Sequence, residues 1–467
     1  MKTGPEDRPV REVLALPNIR HFIAFRVCFN ARFYYPVFAI LFLDFGLSLE
    51  QFALLNAVWA TAIVLLEVPS GALADIIGRR RLLIGAALLM VAEMVLLCLA
   101  PRGHPTALFL FFLANRILSG AAEAAASGAD EALAYDTLRR AGRPDAWGLV
   151  LERQIRYQAI GFIAAMTIGA AVYDPDLLNR VLAWCGSSLR IDQGQALRFP
   201  LVLTLVMALA TLYQALAMRE PSTLAADEAT PADGRPALGA AFALTFRAGR
   251  WILQARFALA VILAGLLFDH IIRLVITLNS QYLREIALPE ATFGIIAAGF
   301  SMLGIFIPRV ARGMAERRSP AFNFGLLVLV SAVGLFASGL FIPHWGLIPL
   351  ALLYSVMVFN QFFTSHYLNH VAPSSERATV LSFKGLSYNV GYGLVGIAYA
   401  LALAYFRGIA TGPTADTGVQ VFRLSFQALP WYFLAITALF CGYAYRHRPR
   451  GGWIVEKGTS NDENDAG

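Results

Sequence analysis

The chain has 467 residues, of which 58% are hydrophobic and only 15% charged, and its 38 Lys and Arg against 31 Asp and Glu make a formal net charge of +7. Soluble domains carry about 25% charged residues, so a soluble enzyme or binding module is excluded and an all-α integral membrane protein is expected. The positive excess follows the loops between apolar runs, which excludes a nucleic-acid partner and points to topology.

The first residues, MKTGPEDRPVREVLALPNIR, mix acids and bases and lack a short apolar core before a small-residue cleavage site, so the first apolar run is expected to be its own insertion signal. Twelve runs of membrane-spanning length follow, centred near Val37, Ala60, Leu89, Leu118, Ala164, Val206, Leu267, Met302, Val330, Met357, Val395 and Ile436. An even count puts both termini on one side. Placing that side in the cytoplasm of a cell (inner) membrane leaves most Lys and Arg inside, as the positive-inside rule requires.

Taken in order, span one carries Arg26, Asn30 and Arg32. On a straight helix Arg26 and Asn30 share a face and Arg32 points away, so Arg26 and Asn30 are expected to face a cavity. Between spans two and three lies GALADIIGRRR, Gly71 to Arg81, and span three holds only Glu93. In span four, Arg116, Gly120, Glu123, Ser127 and Asp130 fall on one stripe. Span five reads GFIAAMTIGAAVYDP, and the long loop after it has Leu and Trp suited to a membrane interface.

Near the middle, REPSTLAADEATPADGRPALG has a linker's composition and divides the spans six and six. The expected units are residues 1–218, a linker with its interfacial segment at 219–250, a second bundle at 251–446 and a tail at 447–467. The segment FALTFRAGRWILQARF reads equally as an interfacial amphipathic helix or a basic flank. Span seven has Asp269 and Arg273 at i, i+4, a spacing that lets them neutralise each other, with His270 beside them. Span ten has Asn360, Gln361 and His366.

An ionisable group at the bilayer centre costs about 3 kcal/mol or more unless it faces protein or water. Spans one, four, seven and ten, which hold most of these groups, must therefore face an interior, whereas spans six, nine and twelve carry no charge in their cores. Units of three helices are implied. FLDFGLSLEQFALLNA after span one and YLREIALPEATFGIIAA after span seven resemble each other, which suggests a duplicated unit of the kind alternating access requires.

The stretch Gly71-Ala-Leu73-Ala74-Asp75-Ile-Ile-Gly78-Arg79-Arg80 resembles the loop signature of the major facilitator superfamily, located as in that family between spans two and three. Arg116 with Gly120 is similar to the family's Arg-x-x-x-Gly element, and Asp136 follows Arg116 by twenty positions, as in many members. The resemblance covers about residues 18 to 446. It implies two six-helix bundles forming a monomeric carrier of a small molecule in the lipid bilayer, with no cofactor, and not an enzyme. Within the signature, Gly71 is expected to let helices approach, Gly78 to turn the chain, Asp75 to sit against a helix N-terminus and Arg79 to bridge to Asp136, forming a gate latch. Topology alone accounts for Arg80 and Arg81.

Drug/proton antiporters of this superfamily often carry a Gly-Pro-rich span five, and this one has no internal proline. Efflux of an amphipathic compound, suggested by the many aromatics, and uptake of a polar or anionic metabolite, suggested by buried arginines, both stand. Substrate or coupling candidates are Arg116, Glu123, Arg26, Asn30, Asp269 and Arg273, with Glu123 able to carry a proton. A membrane enzyme or receptor on the same scaffold is the rival class, with Glu123 and His270 as its catalytic pair. No Walker loop, metal cluster or nucleophile constellation supports ATP drive or catalysis.

Overall fold

A computed structural model describes residues 13–220, 250, 255–371, 377–409 and 414–446; the linker and most of the proposed interfacial segment lie outside these. Twelve helical segments among the described residues are long and apolar enough to cross a membrane: Pro17–Phe45, Leu49–Glu67, Arg79–Cys98, Pro105–Arg140, Pro144–Tyr173, Gln193–Ala217, Phe257–Thr277, Glu290–Arg317, Pro320–Ser338, Leu347–Leu368, Phe383–Ile409 and Thr417–Arg446. They are called spans one to twelve below. The fold is all-α, with two six-helix bundles, and every expected span is present.

Local chemistry sets the ends. Span two opens on a capping box in which Ser48 Oγ accepts from the Gln51 amide at 3.2 Å and Gln51 Oε1 accepts from the Ser48 amide at 2.9 Å. The helix continues to Ile77 and stops at Gly78, whose φ of +92° is open chiefly to glycine. Span one is not a straight helix. It runs Pro17–Asn30, turns, passes through a short 3-10 segment at Tyr35–Val37 and resumes as Phe38–Phe45. Pro36 explains the break, because it lacks an amide donor and restricts the residue before it. The centre expected near Val37 is thus nearer the break at Ala31.

The halves meet closely between spans two and eleven and between spans five and eight. A Cβ on Gly396 would stand 3.3 Å from the Ala53 carbonyl, and one on Gly294 would collide with the Met166 carbonyl at 2.0 Å, so backbone packs on backbone at both seams. Among the described residues, the polar contacts between the halves gather at the end away from the signature loop, here called the far end. There Arg284 donates to Asp44 at 2.8 and 2.7 Å and to Glu290 at 2.9 and 2.6 Å. Tyr173 Oη donates to Asp44 at 2.5 Å, the Ala291 amide to Asp174 at 3.2 Å, and Arg407 pairs with Glu50 at 2.7 Å. Burial works against the charge of Arg284, but the hydrogen bonds and charge of Asp44, with the charge of Glu290, outweigh it and hold its pKa above the ordinary arginine value. The loop after span five forms a ten-residue helix, Pro175–Trp184, with Trp184 and Val181 exposed, in keeping with an interfacial position.

Candidate functional site

Between the halves lies a cavity of ≈ 340 Å³, lined by Tyr35 and Phe38 of span one, Asn56 and Trp59 of span two, Arg116, Ser119 and Glu123 of span four, Phe162 and Met166 of span five, Arg273, Ile276 and Thr277 of span seven, Asn279 and Ser280 just beyond it, Ala297 and Ser301 of span eight, Tyr354 of span ten and Tyr392 of span eleven. Spans three, six, nine and twelve contribute nothing to this lining, so the period of three read from the charges holds in space. The charges did not reveal spans two, five, eight and eleven. They line the cavity with aromatic, aliphatic and small polar groups, which carry no burial penalty large enough to stand out in a sequence.

Arg116 is 5% exposed, and its guanidinium carbon lies 5.2 Å from the Phe38 ring centre and 5.3 Å from that of Trp59. Among the described residues it donates only a long bond, 3.4 Å, to Asn56 Oδ1, and its Nε has no hydrogen-bond partner. Gly120, one turn along, makes this crowding possible, since a Cβ there would stand 2.7 Å from Ala62 Cβ and 2.9 Å from the Trp59 carbonyl. Glu123 is exposed within the same cavity.

Asp269 and Arg273 form the expected i, i+4 pair at 2.7 Å, and Arg273 also donates to Asn389 Oδ1 at 3.0 Å and stands 5.4 Å from the Tyr392 ring centre. His270 binds the Leu266 carbonyl through Nδ1 at 2.5 Å and Tyr432 through Nε2 at 3.2 Å. It is absent from the lining that holds Glu123, so the catalytic pair of the rival reading is not assembled.

Arg26 and Asn30 are not among the lining residues. Arg26 Nε meets Asp130 at 2.9 Å and its guanidinium also meets Glu131, while Asn30 donates to the Arg26 carbonyl at 2.8 Å. The break in span one turns Arg32 toward Glu93, and the two pair in the interior, 2% and 0% exposed, with Asn115 Nδ2 on the Glu93 carbonyl at 3.2 Å. Helix periodicity assigns a face, not the helix opposite it, and it assumed that span one was straight.

In the signature loop Arg79 pairs with Asp136; both belong to the first half. Among the described residues, a Cβ on Gly71 would meet nothing within 4 Å, which corrects the expected close approach there. The side chain of Asp75 lies outside the described residues. Arg80 has more than a topological role, donating to the Met218 carbonyl at 2.6 Å and the Leu216 carbonyl at 2.9 Å, where span six leaves its last carbonyls unpaired. Glu220 accepts from the Arg79 and Arg80 amides at 3.1 and 2.8 Å, an anion on a helix N-terminus.

A family model described as Major Facilitator Superfamily matches residues 21–396. The chain belongs to the major facilitator superfamily. No match was found among curated proteins. Among solved structures, this superfamily member is similar to the nucleoside transporter NupG at 14% identity and a TM-score of 0.64, covering 92% of this chain and 98% of that one. It is similar to a bacterial homolog of the human lysosomal transporter Spinster, in an inward-facing and occupied conformation, at 16% identity and a TM-score of 0.64 over 96% and 99% of the two chains. A D-xylose-proton symporter follows at 14% identity and 0.59, over 91% and 96%. At such identities the likeness concerns the fold. The family makes the chain a multi-pass membrane transporter.

Proposed function

We propose that this protein is a secondary active transporter that moves a small molecule across the cell (inner) membrane by alternating access, with Glu123 carrying the coupling proton. The observation that carries the reading is the placement of Arg116, Glu123 and Arg273 around one cavity between the halves, sealed at the far end by contacts that join the halves. Such a site is exposed to one side at a time when the halves rock. The working units are residues 1–218 and 251–446, joined by 219–250 and followed by a tail at 447–467. The distribution of Lys and Arg supports cytoplasmic termini and a cytoplasmic signature loop. The cavity is complete within one chain, which supports a monomer.

In this reading the pair of Arg79 and Asp136, Gly78 and Asp75 shape the cytoplasmic gate, and Asp269 orients Arg273. The test is a Ser301→Cys variant in a background with Cys28, Cys98, Cys185 and Cys441 replaced by Ser. Ser301 lines the cavity and is exposed. A membrane-impermeant maleimide is expected to label it in both right-side-out and inside-out vesicles. Labelling confined to one orientation, at every pH and after disruption of the Arg284 network, would refute alternating access.

A further inference from the structure

The chemistry of the cavity specifies its cargo more narrowly. Arg26, Arg32 and Arg273 each face a carboxylate, whereas Arg116, among the described residues, has none and leaves Nε unpaired in the interior. An arginine keeps its charge there, and a desolvated charge without a counter-ion is costly. Its free Nε and neighbouring N–H groups form a planar fork, which matches the two oxygens of a carboxylate. The rings of Phe38 and Trp59 hold the fork in place.

Arg273 stands on the other half, its charge largely offset by Asp269. The Tyr392 hydroxyl lies within electrostatic reach of both guanidiniums and hydrogen-bonds Thr277 at 2.8 Å, giving the ligand a polar contact on the second half. One uncompensated arginine calls for one negative charge. Phe162, Met166, Ile276 and Ala297 give the larger part of the remaining wall an apolar surface, with Ser119, Asn279, Ser280 and Ser301 as its polar groups, and ≈ 340 Å³ is at the small end of ligand cavities.

Glu123 follows Arg116 by seven residues, two turns or about 10 Å along the same face. It is approached by Arg26 and Arg32 from span one, by Glu93 from span three and by Tyr35. An anion on Arg116 repels the ionised form of Glu123. At about 10 Å and an effective dielectric near 20, that repulsion raises proton affinity roughly tenfold. By linkage the proton raises anion affinity by the same factor.

On the transport reading above, we propose that the cargo is a compact organic monocarboxylate with an apolar body, seated on Arg116 and loaded together with a proton on Glu123. Anion and proton then cross in the same direction, so an outside-acid pH gradient drives cargo inward.

The cysteine-replaced Ser301→Cys protein tests this without knowledge of the natural cargo. Its rates of modification by anionic sulfonatoethyl and cationic trimethylammonioethyl methanethiosulfonate, each divided by the rate with free glutathione, report the cavity's potential. The anionic reagent is expected to be favoured about tenfold, by Coulomb attraction over a similar distance. Arg116→Gln removes that preference and Arg116→Lys restores part of it. Phenylacetate, but not phenylacetamide, is expected to slow labelling. Between about pH 6 and 8, where the acid itself stays ionised, this protection strengthens as pH falls and becomes flat in Glu123→Gln. A preference unchanged by Arg116→Gln, or equal protection by the amide, overturns the monocarboxylate assignment while labelling from both faces leaves the transport reading standing. Protection as pH-dependent in Glu123→Gln as in the parent overturns the shared proton. Failure of both reagents to react from either face overturns both readings.

Discussion

Replacing Arg284 by Gln should open the far end. Arg284 is the centre of four hydrogen bonds, two to Asp44 and two to Glu290, and the three side chains are 31%, 19% and 21% exposed. Two unit charges about 4 Å apart attract by about 4 kcal/mol at an effective dielectric of 20, so the gross electrostatic loss is several kcal/mol. Water reaches all three groups, which screens the pair, and a fully buried partner would cost about 3–5 kcal/mol. A net penalty of about 2–3 kcal/mol follows for the closed far end, because Asp44 and Glu290 remain as two carboxylates that repel. That corresponds to a roughly 30- to 150-fold shift in the balance of the two states. The assay is maleimide labelling of Ser301→Cys from the far face in intact cells. Adding Asp44→Asn should recover part of the closure, because it removes one of the two stranded anions. If the labelling rate from that face rises less than about threefold in Arg284→Gln, the network does not hold the halves together.

Arg32→Gln should lower thermal stability in detergent by about 3–5 kcal/mol, since it strands Glu93 in the interior; Arg32→Met with Glu93→Leu should cost less, and a double variant worse than either single would contradict the pairing. Gly120→Ala should cost about 1–3 kcal/mol by overpacking against Ala62 and Trp59. Gly71→Ala should be neutral or slightly stabilising, because alanine favours a helix and meets open space. Melting curves of the two glycine variants decide the point, and equal shifts would count against the packing described. Glu220→Ala should free two helix N-terminal amides at a cost of about 1 kcal/mol, seen as faster amide hydrogen exchange at Arg79 and Arg80; unchanged exchange there would remove the cap.

The far-end network was the largest feature not read from the sequence, although a signal was present. FLDFGLSLEQF and YLREIALPEATF place Asp44 opposite Arg284 and Glu50 opposite Glu290, and residues 44 and 284 bond each other in the fold at a separation of 240 positions. Ile40 and Ser280, also 240 apart, meet through the Ile40 amide and Ser280 Oγ at 3.2 Å. Corresponding residues of two repeats approach one another only where they lie near the axis relating the halves. A weak repeat in the sequence says nothing of which positions lie there.

By itself the sequence determined the number of spans, the approximate centres of most of them, the two six-helix bundles and the rule that every third helix bears most of the interior charges. Each of these is local: an apolar length, a cap, a glycine at positive φ, or a charge whose burial is costly on any helix. It also singled out Arg116 with Glu123, Asp269 with Arg273 and Arg79 with Asp136. Tertiary structure alone decided partners and surroundings. It sent Arg26 to Asp130 and Arg32 to Glu93, tied Arg80 and Glu220 to the seam between spans three and six and, among the described residues, left Gly71 without a close neighbour and Arg116 between two rings without a counter-ion. A helical period gives the direction in which a side chain points, but the group it meets belongs to a segment tens or hundreds of residues away, placed there by the packing of all twelve spans.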